Sequence, residues 1–198
     1  MGIDVATLPN VAVTMVRATL LDVAQFELPA GYRARMYHDG DAATWTAIQM
    51  AAEPFIPVTD ELFYKEYGDA LDALPDRMFF IETEDDEAVA SISAWWERDR
   101  HDPNDRGRIH WVVVHPAHQR RGLTKPMMTL AMQRLAQSHR AAMLGTHLVR
   151  PYAIKVYLDF GFLPDAEEFV AKPEVAEGWR LLAAQLPHPQ LLRWLAAH

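Results

Sequence analysis

One segment of the chain combines an amide, three basic side chains and a glycine in the way that a phosphate site requires. An apolar stretch that ends at Val112, Val113 and Val114 runs into a short turn and then into a predicted helix. The turn and the start of the helix contain Gln119, Arg120, Arg121, Gly122, Leu123, Thr124 and Lys125. The first turn of a helix has unpaired backbone N–H groups and the positive end of the helix dipole. A phosphate or pyrophosphate is the natural ligand of such a turn.

The glycine of this segment favours close approach of a ligand. Gly122 has no Cβ, so the backbone can touch a phosphate directly, while Arg120, Arg121 and Lys125 add positive charge. The segment lacks the Gly-x4-Gly-Lys-Ser/Thr run of the nucleotide P-loop and the three spaced glycines of the dinucleotide fingerprint. The competing interpretation is a basic loop that caps an ordinary helix.

The elements that position this segment form a mixed α/β arrangement. The pattern predicts a strand at residues 109–114, a helix at 123–139 and a strand at 142–147, which together make a parallel, right-handed β-α-β crossover. Strands at 32–37, 77–83 and 88–98 are joined by short links and should be antiparallel. The predicted fold class is therefore α/β, with a mixed, mainly antiparallel central sheet and one parallel crossover.

Further elements complete the predicted order. Asp41 is expected to cap a helix that runs to Ala52, and a second helix is expected from Thr59 to Tyr67. Residues 13–21 fit either an edge strand or a short helix. Helices are also expected at 152–160, closed by Gly161, at 173–185 and around Leu191, with a strand starting at Phe162.

Two motifs resemble those of the GNAT N-acetyltransferase superfamily. Gln119-Arg-Arg-Gly122-Leu-Thr124 is similar to the signature Gln/Arg-x-x-Gly-x-Gly/Ala, with Thr124 where the family usually has Gly or Ala. Ala153-Ile-Lys-Val-Tyr157-Leu-Asp-Phe-Gly161-Phe162 is similar to Ala-x-x-x-Tyr-x-x-x-Gly-Phe. The resemblance covers roughly residues 32–164 and implies a GNAT-like acyl-CoA N-acyltransferase fold.

The resemblance implies transfer of an acetyl group from acetyl-CoA to an amine by direct attack in a ternary complex. The pyrophosphate would bind Gln119 to Lys125, and the pantetheine would follow the backbone of Val112, Val113 and Val114 if the adjacent strands diverge. Arg150, at a position where the family often has Asn, would be a further cofactor contact. The chain has no cysteine and no Gly-x-Ser-x-Gly motif, which agrees with the absence of a covalent enzyme intermediate.

Two residues are candidates for proton transfer. Tyr157 matches the family tyrosine that donates a proton to the departing CoA thiolate; the alternative is a tyrosine that only packs in the core. His110 is a candidate general base, and two-residue alternation predicts that it shares a strand face with Val112 and Val114. Glu97, Glu53 and a chain of water molecules are the alternative bases.

The sequence also predicts the acceptor region and the absence of a metal. The acceptor is expected to be a small-molecule or peptide amine, with specificity from residues 42–67 and from Trp95 and Trp96. His115 and His118 form a His-x-x-His pair, but no metal is expected there.

Composition limits the function classes. The 198 residues contain 19 Lys and Arg against 27 Asp and Glu, a formal charge of −8, which argues against binding to a nucleic-acid backbone. The absence of cysteine excludes disulfides and thiolate metal sites. No apolar run approaches the ~20 residues of a membrane span, and no secretory signal is recognised, so a cytoplasmic protein without membrane or nucleic-acid partners is expected.

The expected organisation is a single domain over residues 1–198. Residues 30–166 form the GNAT-like core, 1–29 an N-terminal lead-in and 167–198 a helical C-terminal extension that covers the sheet or forms a homodimer. Two other functions stay open. One is a catalytically silent acyl-CoA-binding or regulatory module of the same fold. The other is a protein that binds a different phosphate ligand with the same strand, loop and helix.

Overall fold

A computed structural model describes residues 2–54, 56–102 and 104–198 and shows seven strands in one sheet. The strands are β1 (Ala12–Arg17), β2 (Tyr32–Met36), β3 (Met78–Thr83), β4 (Ala88–Trp96), β5 (Gly107–Val114), β6 (Ala142–His147) and β7 (Leu163–Pro164). Their order across the sheet is β2-β3-β4-β5-β6-β1-β7. All neighbouring pairs are antiparallel except β5 and β6, which are parallel. The predicted mixed sheet with one parallel crossover is confirmed.

Eight α-helices accompany the sheet in the described part of the chain. They are α1 (Asp41–Ala52), α2 (Asp60–Tyr67), α3 (Leu74–Arg77), α4 (Thr124–Ala136), α5 (Pro151–Asp159), α6 (Ala166–Ala171), α7 (Pro173–Gln185) and α8 (Pro189–Ala196). The short helices α3 and α6 were not predicted. Across residues 2–54, 56–102 and 104–198, no helix is long and apolar enough to span a membrane.

The N-terminal segment resolves the choice between strand and helix. Residues 12–17 form β1, which pairs with β6 on one side and with β7 on the other, so the expectation of an edge strand was wrong. Val13 and Met15 of this strand are buried in the same hydrophobic cluster as Trp179 of α7. Residues before position 30 therefore supply part of the sheet, and the C-terminal helices pack against its core.

The start of α1 differs from the prediction. The N-cap residue is Gly40, and Asp41 is the first residue of the helix. The Asp41 carboxylate accepts a hydrogen bond from the backbone N–H of His38 at 2.7 Å and binds the guanidinium of Arg35 at 2.5 Å. Because both oxygens are occupied in this way, Asp41 ties the helix to β2 and does not cap it.

The core consists of two hydrophobic clusters. One packs α1 and α2 against the sheet through the fully buried Trp45, Phe63 and Tyr67. The other contains the buried faces of α4, α5 and α7, with Met127, Leu158 and Trp179 among its members. The sheet is thus covered by helices, as expected for strands that are apolar along most of their length.

A bulge interrupts β5 in the middle of the sheet. His110 is paired with Ser93 and Val113 with Ser91, so Trp111 and Val112 together lie opposite the single residue Ile92. Trp111 has φ of 48°, the left-handed region that bulky side chains rarely adopt. The extra residue shifts the two-residue alternation of the strand at this point.

The bulge overturns one prediction about side-chain direction. Val112 and Val114 pack against the cluster of α4, α5 and α7, whereas Trp111 and Val113 belong to the cluster of α1 and α2. His110 lies on that second side, with its ring 5.5 Å from the ring of Tyr67. His110 therefore does not share a face with Val112 and Val114, because the inserted residue reverses the alternation after position 110.

The two parallel strands separate soon after they meet. β5 and β6 are paired only at Gly107 with Ala142 and at Arg108 with Met143. From Ile109 onwards the edge of β5 that faces β6 has no partner strand, while β6 continues its pairing with β1. The divergence opens a cleft in the centre of the sheet.

Candidate active site

A cavity of about 410 Å³ lies in the cleft between β5 and β6. Its walls are formed by strands β1, β5 and β6, by helices α1, α2, α5 and α6, and by the α1–α2 loop. The residues that line it are Ala12, Val13, Thr14, Gln49, Glu53, Ile56, Glu66, Arg108, Ile109, His110, Trp111, Val112, Leu144, Gly145, Thr146, His147, Arg150, Tyr157, Glu168 and Lys172. The cavity thus brings together His110, Val112, Arg150 and Tyr157 of the predicted site.

The backbone of the predicted phosphate loop is unsatisfied. Of the described residues, none provides a hydrogen-bond acceptor for the backbone N–H groups at positions 120–123. Arg120 and Gly122 both have positive φ, 59° and 82°, which turns successive amides of the loop outwards. Gly122 is exposed and its missing Cβ would meet only Pro29, at 3.8 Å. Together with the N-terminus of α4, these amides form a turn that can donate several hydrogen bonds to an anion, as an anion-binding turn requires.

The side chains of the loop have different partners. The Gln119 amide donates to the Val114 carbonyl oxygen at 3.1 Å, which closes the turn after β5. Arg121 donates to the Tyr32 hydroxyl at 3.2 Å. Arg120 is exposed and forms no ion pair with a carboxylate in the described part of the chain. These two arginines lie beside the unpaired amides and supply positive charge there.

Five other predicted residues of the loop and strand lie outside the cavity. Leu123 is buried and forms the N-cap of α4. Lys125 binds the Asp159 carboxylate at 3.0 Å, so its charge is directed towards α5. Thr124 begins α4 and is half-buried. Val113 packs under α1 and α2, and Val114 packs on the opposite side, so neither side chain lines the cavity.

Lys125 belongs to a cluster around Asp159. Burial alone would raise the pKa of this carboxyl group, but hydrogen bonds from Lys125, Lys155 and His188 outweigh burial and lower its pKa to about 2. The cluster ties α4, α5 and the segment before α8 together. Lys125 therefore holds the start of α4 in place next to the anion-binding turn.

His110 forms a pair with Glu66, a residue that the sequence did not suggest. The His110 Nε2 atom lies 3.1 Å from the Glu66 Oε2 atom, and the same oxygen accepts a hydrogen bond from the Trp111 indole at 3.0 Å. An ionised carboxylate only accepts hydrogen bonds, so Nε2 carries the proton and the lone pair of the neutral ring lies on Nδ1. The bulge at Trp111 thus brings two donors to one carboxylate.

The charge states of this pair follow from burial and hydrogen bonding. Burial lowers the pKa of His110 below 6.5, and the opposing effect of Glu66 does not overcome it. The hydrogen bond from His110 lowers the pKa of Glu66 to about 2 against the cost of partial burial. At neutral pH the pair is therefore a neutral imidazole beside an ionised carboxylate, which is the state a general base requires.

Tyr157 projects from α5 into the same cavity. Its side chain is buried, and burial raises the pKa of the phenol to about 12 despite the nearby charge of Arg150. The hydroxyl group therefore keeps its proton over the whole neutral range and is available there as a hydrogen-bond and proton donor.

The remaining candidate bases have other partners. Glu53 lines the cavity, but its buried side chain binds Arg150 at 2.7 Å. Arg150, the predicted cofactor contact, therefore joins α1 to the N-terminus of α5. Glu97 forms two hydrogen bonds with Arg106 and does not line the cavity. Of the three candidates, His110 alone lies in the cavity without an arginine attached to it.

The aromatic and histidine pairs lie outside the cavity. Trp95 is buried against Tyr67, and Trp96 stacks on Trp95 with Arg77 over its ring. His118 is hydrogen-bonded to the Tyr32 hydroxyl at 2.9 Å, and His115 accepts from the N–H of Ala117. The described residues contain no group of three or more ligands able to hold a metal ion.

Helices α1 and α2 each supply a polar side chain to the wall of the cavity. Gln49 is 2% exposed, lines the cavity, and its Nε2 atom has no acceptor among residues 2–54, 56–102 and 104–198. Glu66 reaches the cavity from the last turn of α2. Neither residue belongs to a recognisable motif; the only signal was their place in the segment 42–67, which was expected to set specificity.

Comparisons with known proteins agree on one family. The model of the Acetyltransferase (GNAT) family matches residues 43–162, more than half of the chain. A mycothiol acetyltransferase of Streptomyces avermitilis is 28% identical over 158 residues, which cover 78% of this chain and 50% of that protein.

Solved structures share the fold. A GCN5-related N-acetyltransferase from Sphaerobacter thermophilus has a TM-score of 0.62 at 20% identity, over 80% of this chain and 50% of that one. A GNAT-family acetyltransferase from Colwellia psychrerythraea has a TM-score of 0.61 at 11% identity, over 80% and 54% of the two chains. The present chain thus spans about half the length of these relatives.

The pair of His110 and Glu66 predicts a specific loss of stability in acid. The pKa of Glu66 is about 2 in the folded protein and near 4.5 when unfolded, so its contribution is complete above pH 4.5 and disappears as the pH falls towards 2. The loss amounts to about 3 kcal/mol at most. Urea unfolding from pH 7 to pH 3 should show a shallower acid decline in Glu66→Gln than in the wild type.

The control for this experiment is Glu84→Gln, at an exposed position of the hairpin turn between β3 and β4. Its acid decline should match that of the wild type. An identical decline in Glu66→Gln and the wild type would show that the contact with His110 does not lower the pKa of Glu66 in the folded protein.

Proposed function

Because the chain belongs to the GNAT family of acetyltransferases, we propose that it transfers an acetyl group from acetyl-CoA to a small-molecule or peptide amine by direct attack in a ternary complex. The observation that carries the proposal is the unpaired inner edge of β5 beside a turn with free amides. A molecule that has a diphosphate at one end and an amide chain at the other is complementary to both.

The binding part of the proposal rests on backbone groups. The diphosphate would accept hydrogen bonds from the N–H groups at positions 120–123, with Arg120 and Arg121 at the rim. The amides of pantetheine would pair with β5 at Val112–Val114, where β6 has moved away. This path leads from the turn into the cavity that holds Tyr157 and His110.

The chemical part uses the two titratable groups of the cavity. His110 would remove a proton from the acceptor ammonium onto Nδ1, and the resulting imidazolium is stabilised by the ionised Glu66. The free amine attacks the thioester carbonyl carbon, and a backbone N–H of β5 polarises the carbonyl oxygen. As the carbon–sulfur bond breaks, Tyr157 donates its proton to the departing thiolate. The nitrogen that attacked loses its remaining extra proton to the Tyr157 phenolate, which leaves a neutral amide and restores the phenol.

A catalytically silent acyl-CoA-binding module is the alternative. The interaction that favours catalysis is the hydrogen bond between His110 and Glu66, since a silent module needs no neutral histidine oriented by a carboxylate inside its cavity. We therefore place His110 and Tyr157 in the catalytic machinery and residues 119–124 in binding of the co-substrate.

The test of the function is release of CoA thiol from acetyl-CoA in the presence of a panel of amines. The panel contains polyamines, aminoglycosides, amino acids and peptides with free N-termini. At least one class should give turnover above the rate of acetyl-CoA hydrolysis. Binding of CoA by calorimetry without turnover of any amine would support the silent module, and stabilisation by ADP but not by CoA would contradict both.

Gly122→Glu should abolish binding of CoA, because it places a carboxylate against the diphosphate at a position with φ of 82°. Gly122→Ala is the matched control, since it introduces the same backbone strain without the charge. Calorimetry should show a much larger loss of affinity in the glutamate variant than in the alanine variant. Equal losses would mean that strain alone acts and that no diphosphate touches residue 122.

Tyr157→Phe should lower kcat while the KM for acetyl-CoA stays within about twofold, because the hydroxyl group acts only when the thiolate leaves. Loss of general-acid catalysis typically costs about 10² to 10⁴ in rate. The rate should recover with an acyl thioester whose thiol has a lower pKa, which needs no proton donor. A variant with unchanged kcat would leave Tyr157 only a packing role.

A further inference from the structure

The cavity contains one cation that forms no ion pair within the described part of the chain. Its three glutamates all have partners: Glu53 binds Arg150, Glu66 binds His110, and Glu168 binds Lys172 and the backbone N–H of Thr14. Arg108 lines the same cavity and is half-buried. Within the described part of the chain it forms no ion pair and no side-chain hydrogen bond, and its Nε atom is buried without a partner.

A half-buried guanidinium without an ion pair or a hydrogen bond has donor groups that a ligand can use. Partial burial removes part of the hydration of the guanidinium, and the cost is normally offset by a carboxylate or by hydrogen bonds to carbonyl groups. Arg108 has neither, whereas Arg35 and Arg106 elsewhere on the sheet each bind a carboxylate. The guanidinium has the fork geometry that binds a carboxylate through two parallel hydrogen bonds.

The position of Arg108 relates it to the reacting groups. Arg108 and His110 are two residues apart before the bulge of β5, so their side chains leave the same face of the strand. Their Cα atoms are therefore separated by roughly 7 Å. The arginine side chain is long, so its guanidinium can lie closer to the imidazole than the two Cα atoms do, and one molecule that has an amine next to a carboxylate can contact both groups.

The opposite charge is supplied nearby. Glu66 remains ionised at neutral pH, and the positive charge of Arg108 contributes to lowering the pKa of this carboxyl group. The wall formed by α1, α2 and β5 thus presents one anion next to the proposed base and, two residues from that base on the strand, one cation without an ion pair. Gln49, buried with a free Nε2 donor, adds a neutral hydrogen-bond donor to the same wall.

We propose that the acceptor amine carries a carboxylate, and that Arg108 binds this carboxylate while the ammonium group lies at the Nδ1 atom of His110. The substrate class is a small amino acid. This inference rests on the proposed function, since it specifies the acceptor of that reaction. It assigns Arg108 as a binding residue that determines specificity and gives it no part in proton transfer.

The experiment compares the twenty L-amino acids with their carboxamides, which keep the amine and lose the negative charge. Rates of CoA release give kcat/KM for each pair in the wild type, in Arg108→Gln and in Arg108→Lys. The wild type should prefer the acid of its best pair. Arg108→Gln should reduce the ratio of acid to amide by about tenfold to hundredfold, and Arg108→Lys should lie between them.

An amino acid and its amide differ in the basicity of the amine, but this difference is the same for every variant. A change in the acid-to-amide ratio of kcat/KM between variants therefore reports only on the carboxylate. Arg98→Gln, at an exposed arginine outside the cavity, should leave the ratio unchanged. Affinity for CoA should be unchanged in all three variants, which shows that they remain folded and that only the acceptor site is altered.

Two kinds of failure are distinguishable. Turnover of amines with a ratio that Arg108→Gln does not change would overturn the carboxylate site and leave acetyl transfer intact. If no amine is turned over, acetyl transfer fails, and calorimetry with the amino acids themselves, which keep both the ammonium and the carboxylate, decides the binding part of the inference. Binding to the wild type but not to Arg108→Gln supports it, and equal or absent binding overturns it.

Discussion

The arrangement of the cavity depends on one constraint, the bulge in β5 at Trp111. A bulky residue with φ of 48° is held there by the hydrogen bond of its indole to Glu66 and by the edge-on contact of its ring with Trp45. A conformation of this kind costs of order 1–3 kcal/mol and persists only when its surroundings enforce it. The bulge aims His110 at Glu66 and coincides with the divergence of β5 from β6.

The charges of the cavity follow from the same geometry. Each glutamate in its wall already has a basic group or a backbone amide as partner, so most of the side-chain and turn groups without partners are donors: the turn at residues 120–123, Gln49 and Arg108. A ligand rich in acceptors is complementary to such a surface, and both phosphate and carboxylate have this character. The formal charge of −8 for the whole chain therefore does not predict the polarity of the site, which is rich in hydrogen-bond donors.

Local signals explain why much of the fold could be predicted. Helix α7 and strand β6 have the predicted bounds, because proline at the start of one and alternation along the other are local features. Helix α6 escaped prediction although Asp165 caps it by accepting from the N–H of Glu168, a signal that the sequence contains. The bulge could not be predicted, since Trp111 has no intrinsic preference for positive φ and adopts it only through contacts with α1 and α2.

The sequence by itself determined the parts of the site that lie close together along the chain. Gln119 to Thr124 and Ala153 to Phe162 are each contiguous, so a strand, a turn and the start of a helix place their backbone groups without help from distant residues. Only the tertiary structure decided which charged side chains of the site have a partner within the described part of the chain. The packing of α1, α2 and α5 against the sheet, where β5 and β6 separate, decides the pairing of Glu66 with His110 and of Glu53 with Arg150. The same packing leaves Arg108 without an ion pair. Pairings of this kind join residues far apart in the chain, and they are set by the packing of whole elements, which short-range patterns do not encode.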